Sequence, residues 1–163
     1  LIALFLVEKK VLHEPLLHLS LYLKTHREDY YRLLQDVRLR GDWETWTEFF
    51  LTGVADTANN AYESAMRIVT LFRHDRKRIE DCGEQTNSML RLHELLQIHP
   101  FLNASQAQEK TGLSAPTVNK AFEALETLGV VSEITGKQRG RVFAYAEFLK
   151  ILESGTEVRA VAG

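Results

Sequence analysis

Cysteine is nearly absent from this chain: Cys82 is the only one in 163 residues. A single cysteine excludes an intrachain disulfide and any multi-cysteine zinc site, and makes a cytoplasmic setting the default expectation. Cys82 stands among charged residues and reads as a bystander. Charge of one sign is not in excess either. Twenty basic against 22 acidic residues leave a net charge of -2, which gives no push toward nucleic acid or a membrane surface. The apolar run of residues 1–7 stops at Glu8, well short of the roughly 20 residues a membrane span takes. It also lacks a preceding basic stretch, and Glu8-Lys9-Lys10 stand where a signal peptide carries its small-residue cleavage site. No capping residue opens it, so it reads as a buried core helix continuing one that begins further upstream in a longer protein.

The usual signatures of catalysis are missing as well. There is no Gly-rich phosphate loop and no G-x-S-x-G elbow. The six histidines, at 13, 18, 26, 74, 93 and 99, include no pair at the i, i+4 spacing of H-E-x-x-H. They read as surface or helix-end residues. The carboxylate pairs Glu28-Asp29 and Glu80-Asp81 are adjacent in sequence, so on a helix they diverge. No active site can be defended from these residues, and no catalytic, cofactor-binding or metal-binding residue is assigned.

What is present is helical. Hydrophobic residues make up 45% of the chain, enough for one sizeable core or two small ones. Pro15 predicts the end of a first helix, and the Leu-rich stretch 16–23 predicts a short buried one. Thr25 and Glu28 fit a capping box for a third helix that carries Tyr30, Leu33, Leu34 and Val37 and stops at Gly41. Asp42 then caps a long helix whose stripe runs Trp43, Trp46, Phe50, Gly53, Thr57, Ala61, Ser64, Ile68 and Leu71. Both tryptophans read as core, and the small residues from Gly53 to Ala65 predict a close helix crossing. From Arg73 the composition turns polar. Asp75, Glu80 and Asp81 interrupt its basic residues, which predicts a solvated helix end. A domain boundary is placed at Gly83, giving domains of residues 1–83 and 84–152 and a flexible tail of 153–163.

The second domain has a recognisable order. Met89, Leu92, Leu95 and Leu96 define a helix that ends before Pro100. Asn103 and Gln106 cap a short second helix. Gly112 makes a turn, and Ser114 caps a third helix with Pro116 in its first turn and Val118, Ala121, Phe122, Leu125 and Leu128 on its buried side. Ala107 is small where the second and third helices cross. Val130, Val131 and Ile134 suggest one strand and Val142, Phe143 and Tyr145 another, joined by the basic loop Gly136-Lys137-Gln138-Arg139-Gly140-Arg141. Two helices, a turn, a third helix and a hairpin with a charged tip is the order of a winged helix-turn-helix. The fold expectation is therefore mainly α: a helical lobe followed by a winged helix with a small β-hairpin. Candidate nucleic-acid contacts are Thr117, Asn119 and Lys120 on the third helix and Lys137, Arg139 and Arg141 on the wing. Residues 87–152 hold seven basic and six acidic groups, a weak footprint for a DNA binder. Packing or protein contact is the competing use of the domain.

Several segments match one family in order. Residues 1–9, Pro15 to Lys24, Arg27 with Tyr30-Tyr31, Gly41-Asp42-Trp43-Glu44-Thr45-Trp46 and Phe49-Phe50 together resemble the C-terminal part of Fic-family proteins. Ser114 to Leu128 and Thr135 to Val142 resemble the winged helix at the C-terminus of many members. This resemblance implies a protein that transfers AMP from Mg-bound ATP to a hydroxyl of a target protein, through a motif H-P-F-x-[DE]-G-N-G-R-x-x-R. The family's order puts that motif just before Leu1, so the chain itself carries no catalytic residue and is expected to be inert alone. ATP and Mg are implied for the parent protein only. His99-Pro100-Phe101 copies three residues of the motif without its acid or glycines, and the family's inhibitory S/T-x-x-x-E-G/N segment has no match. The implied partners are duplex DNA at the winged helix and the target protein, with no membrane. Self-association through the apolar opening is also expected. The alternative is a DNA-binding transcriptional regulator with a helical dimerisation domain.

Overall fold

The structure, a computed structural model, describes residues 8–10, 19–83, 86–137 and 139–154. The apolar opening, the Pro15 stop, the first part of the Leu-rich stretch and the tail from residue 155 lie outside these. The elements run α1 (Leu19–Thr25), α2 (Arg27–Arg40), α3 (Trp43–Glu80), α4 (Thr86–Ile98), β1 (Phe101–Asn103), α5 (Ala104–Thr111), α6 (Ala115–Thr127), β2 (Ser132–Glu133), β3 (Val142–Ala144) and α7 (Ala146–Ser154). The chain is thus mainly α with a small antiparallel sheet of order β1-β3-β2. No described helix is long and apolar enough to cross a membrane.

The described residues fall into two compact units, one reaching to Ala65 and the other Met66–Glu153. The second takes in the last part of α3, from Met66 on. Ile68, Leu71, Phe72 and Ile79 on the last part of α3 pack into the same core as Leu92, Phe122 and Phe143. Composition marks where the surface turns polar, whereas the stripe facing inward continues to Ile79.

In the first unit, α3 meets α1 at a glycine. A Cβ on buried Gly53 would lie 2.4 Å from Tyr22 Cδ1, so only glycine admits the Tyr22 ring there. Tyr22 in turn stacks on His26 at 4.2 Å and lies 5.5 Å from Phe49. The close approach expected from Gly53 to Ala65 is confined to Gly53, since Ala58, Ala61 and Ala65 further along α3 are exposed. Asp42 caps α3 by accepting from Thr45 N at 3.1 Å. Two expectations are corrected. The Thr25–Glu28 capping box does not form: α1 continues through Thr25, whose hydroxyl donates back to Leu21 O, and His26 holds the N-cap of α2 with no side-chain cap bond. Trp43 is 64% exposed rather than core, because the aromatic cover supplied by Tyr30 reaches Trp46, 5.4 Å away, and Trp43 stands at the very start of α3.

In the second unit, local signals set the elements. Asn103 and Gln106 form a reciprocal capping box on α5, and Gly112 closes it at φ +71°, a conformation that favours glycine. Ser114 caps α6. Ala107 is fully buried between α5 and α6. Strand β3 pairs Leu102 with its Phe143 on one side and Glu133 with Phe143 on the other. Phe143 stacks on Phe122 at 4.3 Å, which fastens the sheet to α6. Strand β1 and helix α7 have no counterpart in the sequence reading, and Glu153 and Ser154, assigned there to the tail, complete α7.

Candidate nucleic-acid interface

Helix α6 buries Val118, Ala121, Phe122 and Leu125 and so turns Asn119 and Lys120 outward, both exposed. At its N-terminus the Ser114 hydroxyl accepts from Thr117 N at 3.4 Å and lies 2.8 Å from the Thr117 hydroxyl. Thr117 is half-buried at the edge of an open cleft of about 800 Å³ that Thr86, Asn87, Arg91, Glu94 and Leu113 also line. Arg91 in that cleft donates to Thr111 O at 3.5 Å, across from the α5–α6 turn.

The hairpin is held at its base by Glu133. Its carboxylate accepts from Thr135 N at 2.7 Å, from Gly136 N at 2.9 Å and from the Thr135 hydroxyl. These bonds, the Thr135 hydroxyl first, hold the Glu133 carboxyl below its ordinary range. The turn that carries the basic tip is therefore organised from within. Beyond it Lys137 and Arg139 are exposed and form no ion pair among the described residues. Arg141 differs. It is half-buried, 3.7 Å from Glu123 of α6 and stacked over Phe143 at 5.3 Å. The six residues singled out from sequence thus divide into four outward groups (Asn119, Lys120, Lys137, Arg139), one cleft residue (Thr117) and one that braces the hairpin against α6 (Arg141).

A second polar cluster, buried in the same unit, escaped the sequence reading. Asp75 of α3 is buried rather than solvated, and His93 of α4 is fully buried rather than at a surface. Tyr145 Oη donates to Asp75 Oδ2 at 2.7 Å, and Arg78 donates to Asp75 Oδ1 at 3.0 Å and to Leu128 O. Because the tyrosine's one proton goes to Asp75, the 3.3 Å contact from His93 Nε2 places the imidazole proton on Nε2. Gln97 then donates to His93 Nδ1 at 3.3 Å. Burial holds the His93 pKa below its ordinary value, with Asp75 opposing that shift, and burial together with Asp75 raises that of Tyr145. Every member has a partner, and no buried side-chain polar atom is left unsatisfied among the described residues. The signal available in the sequence was an acid at position 75 on the stripe Ile68, Leu71, Phe72, Ile79.

Among the described residues no group of three or more His, Cys, Asp or Glu could hold a metal ion. No family model matches the chain.

Proposed function

We propose that the chain is the C-terminal portion of a Fic-type protein AMP transferase, and that its second unit is a winged helix that binds duplex DNA. The observation that carries the DNA reading is the outward set Asn119, Lys120, Lys137 and Arg139, four polar or cationic groups on one helix and one organised hairpin. The order α4, β1, α5, α6, β2, β3 supports a winged helix. In this reading α6 enters the major groove, where Asn119 can pair with an adenine edge and Thr117 with a base or a phosphate. Lys120, Lys137 and Arg139 supply phosphate contacts, and Arg141 sets the angle of the hairpin. AMP transfer then belongs to the parent protein through a segment bearing the H-P-F-x-[DE]-G-N-G-R-x-x-R motif, and the setting is cytoplasmic.

The test is a titration of the ¹⁵N-labelled 163-residue chain with a duplex at low salt. Shifts concentrated on α6 from Thr117 to Lys120 and on Lys137 and Arg139 are expected. Shifts confined to other surfaces, or none, would overturn the DNA reading and favour a protein partner. Incubation of the same chain with α-phosphate-labelled ATP is expected to give no transfer, and labelling above background would contradict the placement of the catalytic motif outside it.

A further inference from the structure

Helix α3 buries one side and exposes an apolar stripe on the other. Leu51, Tyr62, Met66 and Val69 are 58%, 67%, 47% and 40% exposed, and Ala55 and Ala58 complete the stripe. These positions advance by three or four residues, so they stay on one side of the helix. Large exposed side chains in a continuous row are unusual on a surface that has no partner.

The row has an internal symmetry. Counted outward from the level of Asn60, Ala58 answers Tyr62, Ala55 answers Met66, and Leu51 answers Val69. At the next step Glu48 answers Arg73, both exposed and neither in an ion pair among the described residues. Small meets large at the two inner steps, apolar meets apolar at the third, and acid meets base at the ends.

We propose that this face docks a second copy of the same chain, α3 against α3 and antiparallel, about a two-fold axis at the level of Asn60. A two-fold interface must be self-complementary, with each residue meeting its counterpart twice. The antiparallel register satisfies that requirement at all four steps. Tyr62 of each copy lies over Ala58 of the other, which lets the helices approach, and two Glu48–Arg73 pairs close the ends. A parallel pairing would set Glu48 against Glu48 and Arg73 against Arg73, so charge alone selects the antiparallel form. The contact runs over about 37 Å of helix at 1.5 Å per residue. Its near-3.5 repeat suits the shallow crossing of coiled-coil packing.

The experiment is sedimentation velocity on the full 163-residue chain, with circular dichroism to check that each variant keeps its helix content. Wild type is expected to show a concentration-dependent dimer. Glu48→Arg and Arg73→Glu each introduce two repulsive pairs per dimer and are expected to weaken it about tenfold or more. The double variant restores the pairs in swapped form and is expected to recover wild-type affinity. An equimolar mixture of the two single variants is expected to associate more tightly than either alone. Tyr62→Ala, which leaves charge untouched, should also weaken the dimer. A chain that stays monomeric at every concentration would overturn the proposal, as would a dimer indifferent to these substitutions.

Discussion

The phenol of Tyr145 donates to the carboxylate of Asp75 at 2.7 Å across 70 residues of sequence, and both side chains are buried. That one bond joins the end of β3 to the last part of α3, and His93 and Gln97 extend it along α4. Each hydrogen points the same way along the chain Gln97, His93, Tyr145, Asp75. A network with every member satisfied rigidifies a core, whereas one with a member removed strands the rest.

Tyr145→Phe removes a single oxygen and leaves both Asp75 Oδ2 and His93 Nε2 without their partner. Losing a buried partner costs about 1–3 kcal/mol. Chemical denaturation is expected to show a loss in that range with an unchanged slope, while Tyr30→Phe, on the half-exposed Tyr30 of the first unit, should change stability far less.

His93 gives the second unit a pH dependence of defined sign. Burial depresses its pKa below the ordinary 6.5, against the opposing charge of Asp75 and Glu94 and with the smaller help of Arg76. The unfolded chain therefore takes up a proton that the folded chain refuses. The stabilisation is complete above pH 6.5 and is lost as pH falls below it toward the depressed folded value. Melting temperature measured from pH 8 to pH 5 is expected to fall below about pH 6.5, and His93→Gln, whose amide can still donate toward Tyr145, should flatten that part of the curve.

Gly53→Ala tests the close approach of α1 and α3. Alanine is the better helix former, so in an open position the change would stabilise α3 by up to about 1 kcal/mol. At Gly53 the new methyl lies 2.4 Å from the Tyr22 ring, and overpacking of that kind costs roughly 1–3 kcal/mol. A lower melting temperature is expected, with most of the loss recovered when Tyr22 is shortened to Leu in the same chain.

The elements that sequence made legible are those with local chemistry. Asn103 with Gln106, Gly112, Ser114 and Asp42 each mark a helix boundary through bonds made within a few residues, and each boundary stands where the residues placed it. What was not legible depends on distant partners. Phe101 to Asn103 is a strand only because Val142 to Ala144 lies beside it. Asp75 reads as solvated until Tyr145 and Arg78 are placed against it. Thr25 has the right residue at Glu28 for a capping box, yet the extension of α1 claims its hydroxyl first. The candidate interface shows the same division: the exposure of Asn119 and Lys120 follows from helical period, whereas the recruitment of Arg141 by Glu123 needs the fold.

The most direct measurement is fluorescence anisotropy of a labelled duplex titrated with the 163-residue chain across a series of salt concentrations. Affinity is expected to fall linearly with salt on logarithmic axes, and Lys120→Ala with Arg139→Ala to reduce that slope by about two, one for each phosphate contact. Arg141→Ala should change the slope less, because Glu123 already engages it. Absence of binding at low salt, or a slope that the Lys120 and Arg139 substitutions leave unchanged, would contradict the assignment of this face to nucleic acid.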